Sequence, residues 1–147
     1  MDKMIFREGT LNDCKYLDEL LTKLIDDERR NYDSSIEEGF VVKEFYKNMI
    51  IRDKHKIYLC EIDSVIVGYI YLIIGNKSEA KIDALYVLEE YGNMKIASKL
   101  LDLAMLYFKE HNVNSVEIGV LSKNIVAKNL YMKYGFSTFK ETMKLEL

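Results

Sequence analysis

Asn124-Ile125-Val126-Ala127-Lys128-Asn129-Leu130-Tyr131-Met132-Lys133-Tyr134-Gly135-Phe136 decides the reading of this chain. Asn124 is a residue type that caps a helix start. Ala127, Leu130 and Tyr131 then recur at helical spacing, and Gly135 supplies a stop. The stretch predicts a helix over 124–134. Leu130 and Tyr131 are plain core on that pattern alone, and Gly135 is only a helix stop.

Working outward on the N-terminal side, Ser115 to Leu121 reads as a strand. Before it, Ile96, Leu100, Leu103, Ala104 and Tyr107 form a helical stripe ending near Glu110, with Asn112 suited to the left-handed conformation that closes a helix. Glu79 to Val87 reads as a strand, so 79–121 predicts a strand–helix–strand unit with a parallel crossover. Further back come strands over 56–61 and 65–74, joined by a turn at Ile62-Asp63-Ser64. A second turn falls at Gly75-Asn76-Lys77-Ser78. Gly68 within the second of these strands signals a bulge or a close backbone approach. The chain opens with a short strand over 3–7. A Thr10-x-x-Asp13 capping box then leads a helix over about 11–30, and a second helix follows from Ser34 and Ser35 to about 52. Phe136 to Leu147 alternates in a way that predicts one or two last strands.

The chain of 147 residues predicts a single domain over 1–147, and 49% hydrophobic residues suffice for one core. A net charge of −3 argues against a nucleic-acid partner. The longest apolar run, Val65 to Ile74, is too short for a membrane span. The chain begins without a signal-peptide pattern, and Cys14 and Cys60 form neither a disulfide framework nor a metal site. The expectation is therefore a cytoplasmic protein without a metal. His55 and His111 read as solvated loop residues.

The order of elements and the 124–136 segment resemble the GNAT superfamily of acetyl-CoA-dependent N-acetyltransferases. The segment is similar to the family's N-x-x-A-x-x-L-Y-x-K-x-G-F pattern at every fixed position. Ile82 to Val87 resembles the strand that opens the cofactor site, Ile96 to Leu101 the start of the cofactor helix, and Thr10 to Leu21 the first helix. The resemblance implies a mixed α+β fold. Its central, mostly antiparallel sheet has parallel fourth and fifth strands that splay at the cofactor site, with helices flanking the sheet. It implies transfer of an acetyl group from acetyl-CoA to a primary amine of a small molecule or peptide. Relatives are often dimers, which makes a homodimer the expectation.

Under the resemblance, Leu85, Tyr86 and Val87 align the cofactor and help polarise its carbonyl. Gly92, Asn93, Met94, Lys95, Ile96 and Ala97 form the pyrophosphate loop. Asn124 contacts the cofactor, and Tyr131 is the acid that protonates the departing thiolate. Asp83 stands where some relatives carry a glutamate base, and reads equally as a polar position on the strand's solvent face. Tyr86 is placed on the opposite face, as core or cofactor wall. The loop departs from the family's pattern. Gly92 stands where Arg or Gln is usual, and Lys95 where Gly is usual. Lys95 either crowds a pyrophosphate or attracts it, and Gly92 restores flexibility a turn earlier. A catalytically inactive binding module of the same fold is the alternative. The segment from Asp26 to Glu38, with Asp26, Asp27, Glu28, Asp33, Glu37 and Glu38 around Arg29 and Arg30, reads as an acidic rim for a cationic amine or as a solvated helix face.

Overall fold

A computed structural model describes residues 3–147. Five strands, β1 (Met4–Glu8), β2 (His55–Ile62), β3 (Val65–Ile74), β4 (Glu79–Val87) and β5 (Ser115–Ile118), lie side by side in chain order. The first four pair antiparallel, and β5 joins β4 in parallel after a helical crossover. Helices α1 (Cys14–Asn31) and α2 (Phe45–Met49) cover one face. The other carries α3 (Ile96–Glu110) and α4 (Ile125–Lys133). This is the mixed sheet with flanking helices that the sequence led us to expect.

Each face has its own core. Leu17 and Leu20 of α1 and Tyr46 of α2 pack on Leu59, Tyr69 and Tyr71. Leu100, Leu101 and Ala104 of α3 and Tyr131 of α4 pack on Val67, Ile70, Leu72 and Ile82. Because both faces are covered, β3 reads as a nearly continuous apolar run rather than an alternating one. The two-residue turn at Asp63-Ser64 has positive φ at both positions (50° and 69°), the geometry that matches strand twist in a tight hairpin. Asn112 (φ 56°) and Gly135 (φ 96°) close α3 and α4 as expected.

The capping box at the start of α1 also anchors the sheet. Thr10 donates its backbone N–H to the Asp13 carboxylate at 2.7 Å. Arg7 of β1 grips the same carboxylate with two bonds, 2.8 and 2.9 Å, and bonds Glu61 of β2 at 3.0 Å. One guanidinium thus ties β1, β2 and α1 together, and Asp13 is buried beneath it.

Three expectations are corrected. The second helix is five residues, not a run from Ser34 to residue 52. Asp33 accepts the Ser35 N–H in a local turn, and Gly39 and Glu44 adopt positive φ, so the backbone leaves the helical path twice before Phe45. No strand forms among residues 136–147. β5 is only four residues long and offers little ladder, and Phe139, Met143 and Leu145 stay more than four-fifths exposed. Finally, His55 is no loop residue. It opens β2, and its Nδ1 lies 2.6 Å from the Tyr71 hydroxyl.

The Arg7 hydrogen bonds hold the Asp13 carboxyl below its ordinary range. Its stabilising contribution is therefore present above the unfolded aspartate value, about 3.9, and is lost as pH falls through the lower folded value. Replacing Arg7 with Leu is expected to cost about 2 kcal/mol near neutral pH, since it strands a buried carboxylate. Urea melts from neutral to strongly acidic pH check this: the curves of Arg7→Leu and parent converge as Asp13 protonates.

Candidate active site

β4 carries the site because two irregularities re-aim it. Opposite Tyr71 and Leu72 of β3, the β4 partners are Ala84 and Ile82, which leaves Asp83 as an extra residue in a bulge. Ala80 and Ile82 face the α3 side before the bulge. After it Leu85 and Val87 take that side, while Ala84 and Tyr86 face α1. The bulge corrects the expected alternation: Tyr86 shares its face with Asp83 instead of opposing it. The Asp83 carboxylate lies 3.2 Å from Lys81 Nζ and acts electrostatically on Tyr46, Tyr69, Tyr71 and His55, all on the α1 face.

The second irregularity is at Gly68. A register shift in the β2–β3 pair falls beside it, and a Cβ there would stand 3.0 Å from the Tyr86 carbonyl oxygen and 3.1 Å from Val87 Cγ2. Leu88 donates its N–H to the Val67 carbonyl at 2.8 Å. Glycine here lets the end of β4 press against β3. The bulge or close approach read from sequence is thus both.

On its other edge β4 pairs with β5 only from Glu79–Ser115 to Ile82–Ile118. Beyond that the strands part, and the outer edge of residues 83–87 has no strand partner. The sheet's hydrogen-bonding groups are open to a ligand along this gap.

The gap leads to the start of α3. A 3-10 turn, Glu89–Tyr91, follows β4, and then Gly92 to Lys95 turn into the helix. Gly92 has φ −63°, an ordinary right-handed conformation that does not itself require glycine, although a Cβ there would stand 3.3 Å from the Glu89 carbonyl oxygen. Lys95 is the strained residue. It has φ 58° and ψ 26°, left-handed, and gives α3 no side-chain cap. The N–H groups of Ile96, Ala97 and Ser98 have no partner among the described residues, as suits an anion site at a helix N-terminus.

α4 flanks the gap from the other side. Asn124 caps it, its Oδ1 accepting the Ala127 N–H at 3.1 Å. Tyr134 donates to the Ser98 carbonyl and the Asp102 carboxylate, both at 2.8 Å, and so docks α4 on α3. Tyr131 is 8% exposed, with its ring edge-on to Phe136. Its hydroxyl has no hydrogen-bond partner among the described residues, yet it is not an oxygen sealed in the interior. Burial pushes its pKa up to about 12, with Glu28 adding to the rise. The phenol stays protonated throughout the neutral range.

Within the Asp26–Glu38 rim, the two arginines pair with Asp26 and Asp27 only, and six acids against two arginines leave the segment acidic. Asp26 pairs with Arg29 and Arg30, Asp27 with Arg30, and Asp27 also accepts the Tyr86 hydroxyl at 2.7 Å. A concavity of about 440 Å³ opens beside them, lined by Asp26, Asp27, Phe40, Tyr86, Glu89 and Glu90 among others. Its lining includes neither Tyr131 nor the start of α3. Sequence reasoning grouped Glu28 with the rim. The structure separates it from its neighbours, and its place on the helix was the only signal.

The sheet is split between two parallel strands, and a strand edge without a strand partner among the described residues leads to a helix start without a side-chain cap. The chain belongs to the acetyltransferase (GNAT) family, whose model matches residues 19–136. It is 31% identical over 96 residues to an uncharacterized N-acetyltransferase of Archaeoglobus fulgidus, a match covering 61% of this chain and 65% of that relative's length. Among solved structures it resembles a Bacillus halodurans protein determined as a tetramutant, with 21% identity, TM-score 0.82, and coverage of 97% of this chain and 99% of that one. It also resembles an aminoglycoside N-acetyltransferase determined in complex with CoA, with 11% identity, TM-score 0.76, and coverage of 100% and 96%. These likenesses show the fold. Among the described residues no cluster of His, Cys, Asp and Glu is suited to a metal ion, and no helix is long and apolar enough to cross a membrane.

A left-handed lysine costs roughly 1–2 kcal/mol, and glycine at an ordinary position loses about 0.5–1 kcal/mol through backbone entropy. Lys95→Gly is therefore expected to stabilise the protein by about 0.5–1 kcal/mol, while Lys95→Ala stays close to the parent. Equilibrium denaturation of the three proteins checks this.

Proposed function

We propose that this protein transfers an acetyl group from acetyl-CoA to a primary amine on a small molecule or peptide. The observation that carries the reading is the Tyr131 hydroxyl, without a hydrogen-bond partner among the described residues, on a ring that shares its core with Ile82 and Leu85, where the β4–β5 pairing ends. When bound, acetyl-CoA supplies an acetyl group activated as a thioester. The residues present suit such a group. Leu85, Tyr86 and Val87 pair with β3 on one side, and the alternate peptide groups that point to the outer edge suit its chain and the carbonyl that must be polarised. The amides of Ile96, Ala97 and Ser98 suit its phosphates, with Gly92, Asn93 and Met94 forming the approach.

Lys95 in its left-handed conformation takes the helix-start position that glycine usually holds. Its ammonium compensates by charge for the lost room. Asn124 fixes the first turn of α4, and through it the height of Tyr131. Tyr131 keeps a proton on its oxygen at neutral pH and delivers it to the departing sulfur.

The hollow lined by Asp26, Asp27, Glu89 and Glu90 supports a cationic acceptor. Cys14 and Cys60, both buried and unpaired, support a reducing compartment such as the cytoplasm. The exposed apolar tail supports pairing with a second copy. A non-catalytic binding module remains the second reading, favoured by Lys95 and by Glu89 and Glu90 beside the phosphate approach.

Thermal melting with acetyl-CoA, CoA and ATP separates the two. A ligand that binds only the folded state at a hundred times its dissociation constant adds roughly 2.7 kcal/mol. Stabilisation by acetyl-CoA and CoA but not by ATP is expected, and the absence of any CoA effect at millimolar concentration would replace the enzyme by the binding module. With an amine acceptor, Tyr131→Phe is expected to lower kcat about 100-fold while keeping the melting shift.

A further inference from the structure

The last turns of α1 present Asp26, Asp27, Glu28, Arg29 and Arg30 in succession. Asp26 and Asp27 take up both arginines. Glu28 lies about 100° round the helix from Asp27, and its carboxylate forms neither a hydrogen bond nor an ion pair among the described residues, although Arg29 follows it directly. It is half-buried. A half-buried carboxyl without a partner is uncommon, because its charge goes uncompensated. Burial accordingly raises the Glu28 pKa, and Asp33 adds to the rise.

Helix spacing locates it. Glu28 follows Leu17, Leu21 and Leu24 on the stripe of α1 that packs against the sheet. The adjacent Asp27 accepts the Tyr86 hydroxyl at 2.7 Å, so this turn of α1 lies over the end of β4. Among the described residues β5 does not pair with β4 beyond Ile82 and Ile118, and the sheet is open there. Glu28 lies on the α1 side of this opening, and Tyr131, packed in the core on the α3 face, lies on the other. The influence of the Glu28 charge on Tyr69 and Tyr131 agrees with that placement. The groups that interact with Glu28 are Asp33 on the loop after α1, Tyr69 and Tyr131, and none of them is cationic. Asp83, by contrast, already holds Lys81.

We propose that Glu28, rather than Asp83, receives the acceptor's ammonium and takes its proton, acting across the gap from Tyr131; this rests on the acyltransferase reading above. The ammonium R–NH3+ gives one proton to the Glu28 carboxylate, leaving a neutral amine whose lone pair attacks the thioester carbonyl. The new C–N bond forms, the C–S bond breaks, and the Tyr131 phenol gives its proton to the departing sulfur. The nitrogen loses a second proton as the amide forms, which restores the Tyr131 phenol, and the protonated Glu28 releases the first proton to solvent. A carboxylate with a raised pKa is the better base for this, and an incoming ammonium supplies the charge partner that the protein omits.

Two substrate amines, butylamine and spermidine, serve as probes. Their binding to the CoA-saturated protein is read by calorimetry, and their turnover with acetyl-CoA by thiol release. Glu28→Gln is expected to weaken amine binding at least tenfold and to lower kcat/KM about 100-fold, with the acetyl-CoA melting shift unchanged. The acidic limb of the kcat/KM profile should also disappear. Glu19→Gln, on the exposed side of α1 and outside the rim, controls for loss of a negative charge and should stay within threefold of the parent. Glu28→Gln within threefold of the parent on both readouts overturns the proposal, as does a loss confined to Asp83→Asn, or a parent that binds neither amine. A parent that binds amines through Glu28 but gains no stability from acetyl-CoA removes the acyltransferase reading and leaves Glu28 as an amine site.

Discussion

The pairing of β4 with β5 ends at Ile82 and Ile118, and the site follows from that limit. A parallel ladder carried to Val87 would satisfy the β4 edge internally and wall the two cores off from each other. Instead the Asp83 bulge turns β4 immediately after the last pair, and Gly68 lets its end press on β3. Once β4 is drawn that way, β5 cannot follow. The free peptide groups, the route to α3 and the view from α1 to α4 all come from one loss of register. A bulge beside a site re-aims side chains, and here it redirects a whole strand end.

The elements built from local signals were legible in the sequence. Asn124 and Gly135 bound α4, Thr10 and Asp13 open the first helix, and β3 and β4 fall where their apolar runs predict. Gly68 also gave its warning, since glycine inside an apolar strand needs a reason. The bulge at Asp83 was not legible, because it is a mismatch between two strands and neither strand shows it alone. Strict alternation therefore put Tyr86 on the wrong face. Glu28 was hidden for a related reason. Six acids within thirteen residues look alike until the arginines choose among them, and that choice is made by helix rotation and packing. The final strands failed because alternation is necessary for a strand but not sufficient, and a four-residue β5 gives it little to pair with.

Lys95 separates two jobs that glycine does together at a helix start. One is conformational, since the chain must enter α3 through a left-handed residue, and Lys95 does so at φ 58° with a steric cost. The other is spatial, since a missing side chain leaves room for a phosphate. Lys95 gives up that room and adds a positive charge at the end where the helix dipole is also positive. The amides of Ile96 to Ser98 remain without partners among the described residues, so the proposed anion site depends on whether the lysine stem can swing aside, a question of rotamers more than of fold.

Tyr131 poses the last energetic question. Its pKa of about 12 stands well above that of an ordinary alkyl thiol, about 8.5, and at 1.36 kcal/mol per pH unit its proton would move uphill to such a thiolate by roughly 5 kcal/mol. That comparison sets a buried phenol against a solvated thiol. Both anions would lie in the same gap, and desolvation raises the thiol for the same reason that it raised the phenol. The proposed base, Glu28, is neutral once it has taken the acceptor's proton, so at that step its charge opposes neither the phenolate nor the thiolate. The mismatch therefore shrinks as the sulfur takes on charge within the site. A phenol kept reliably protonated and unpartnered, opposite a carboxyl with a raised pKa, is a pair suited to moving two protons on opposite sides of one reacting centre.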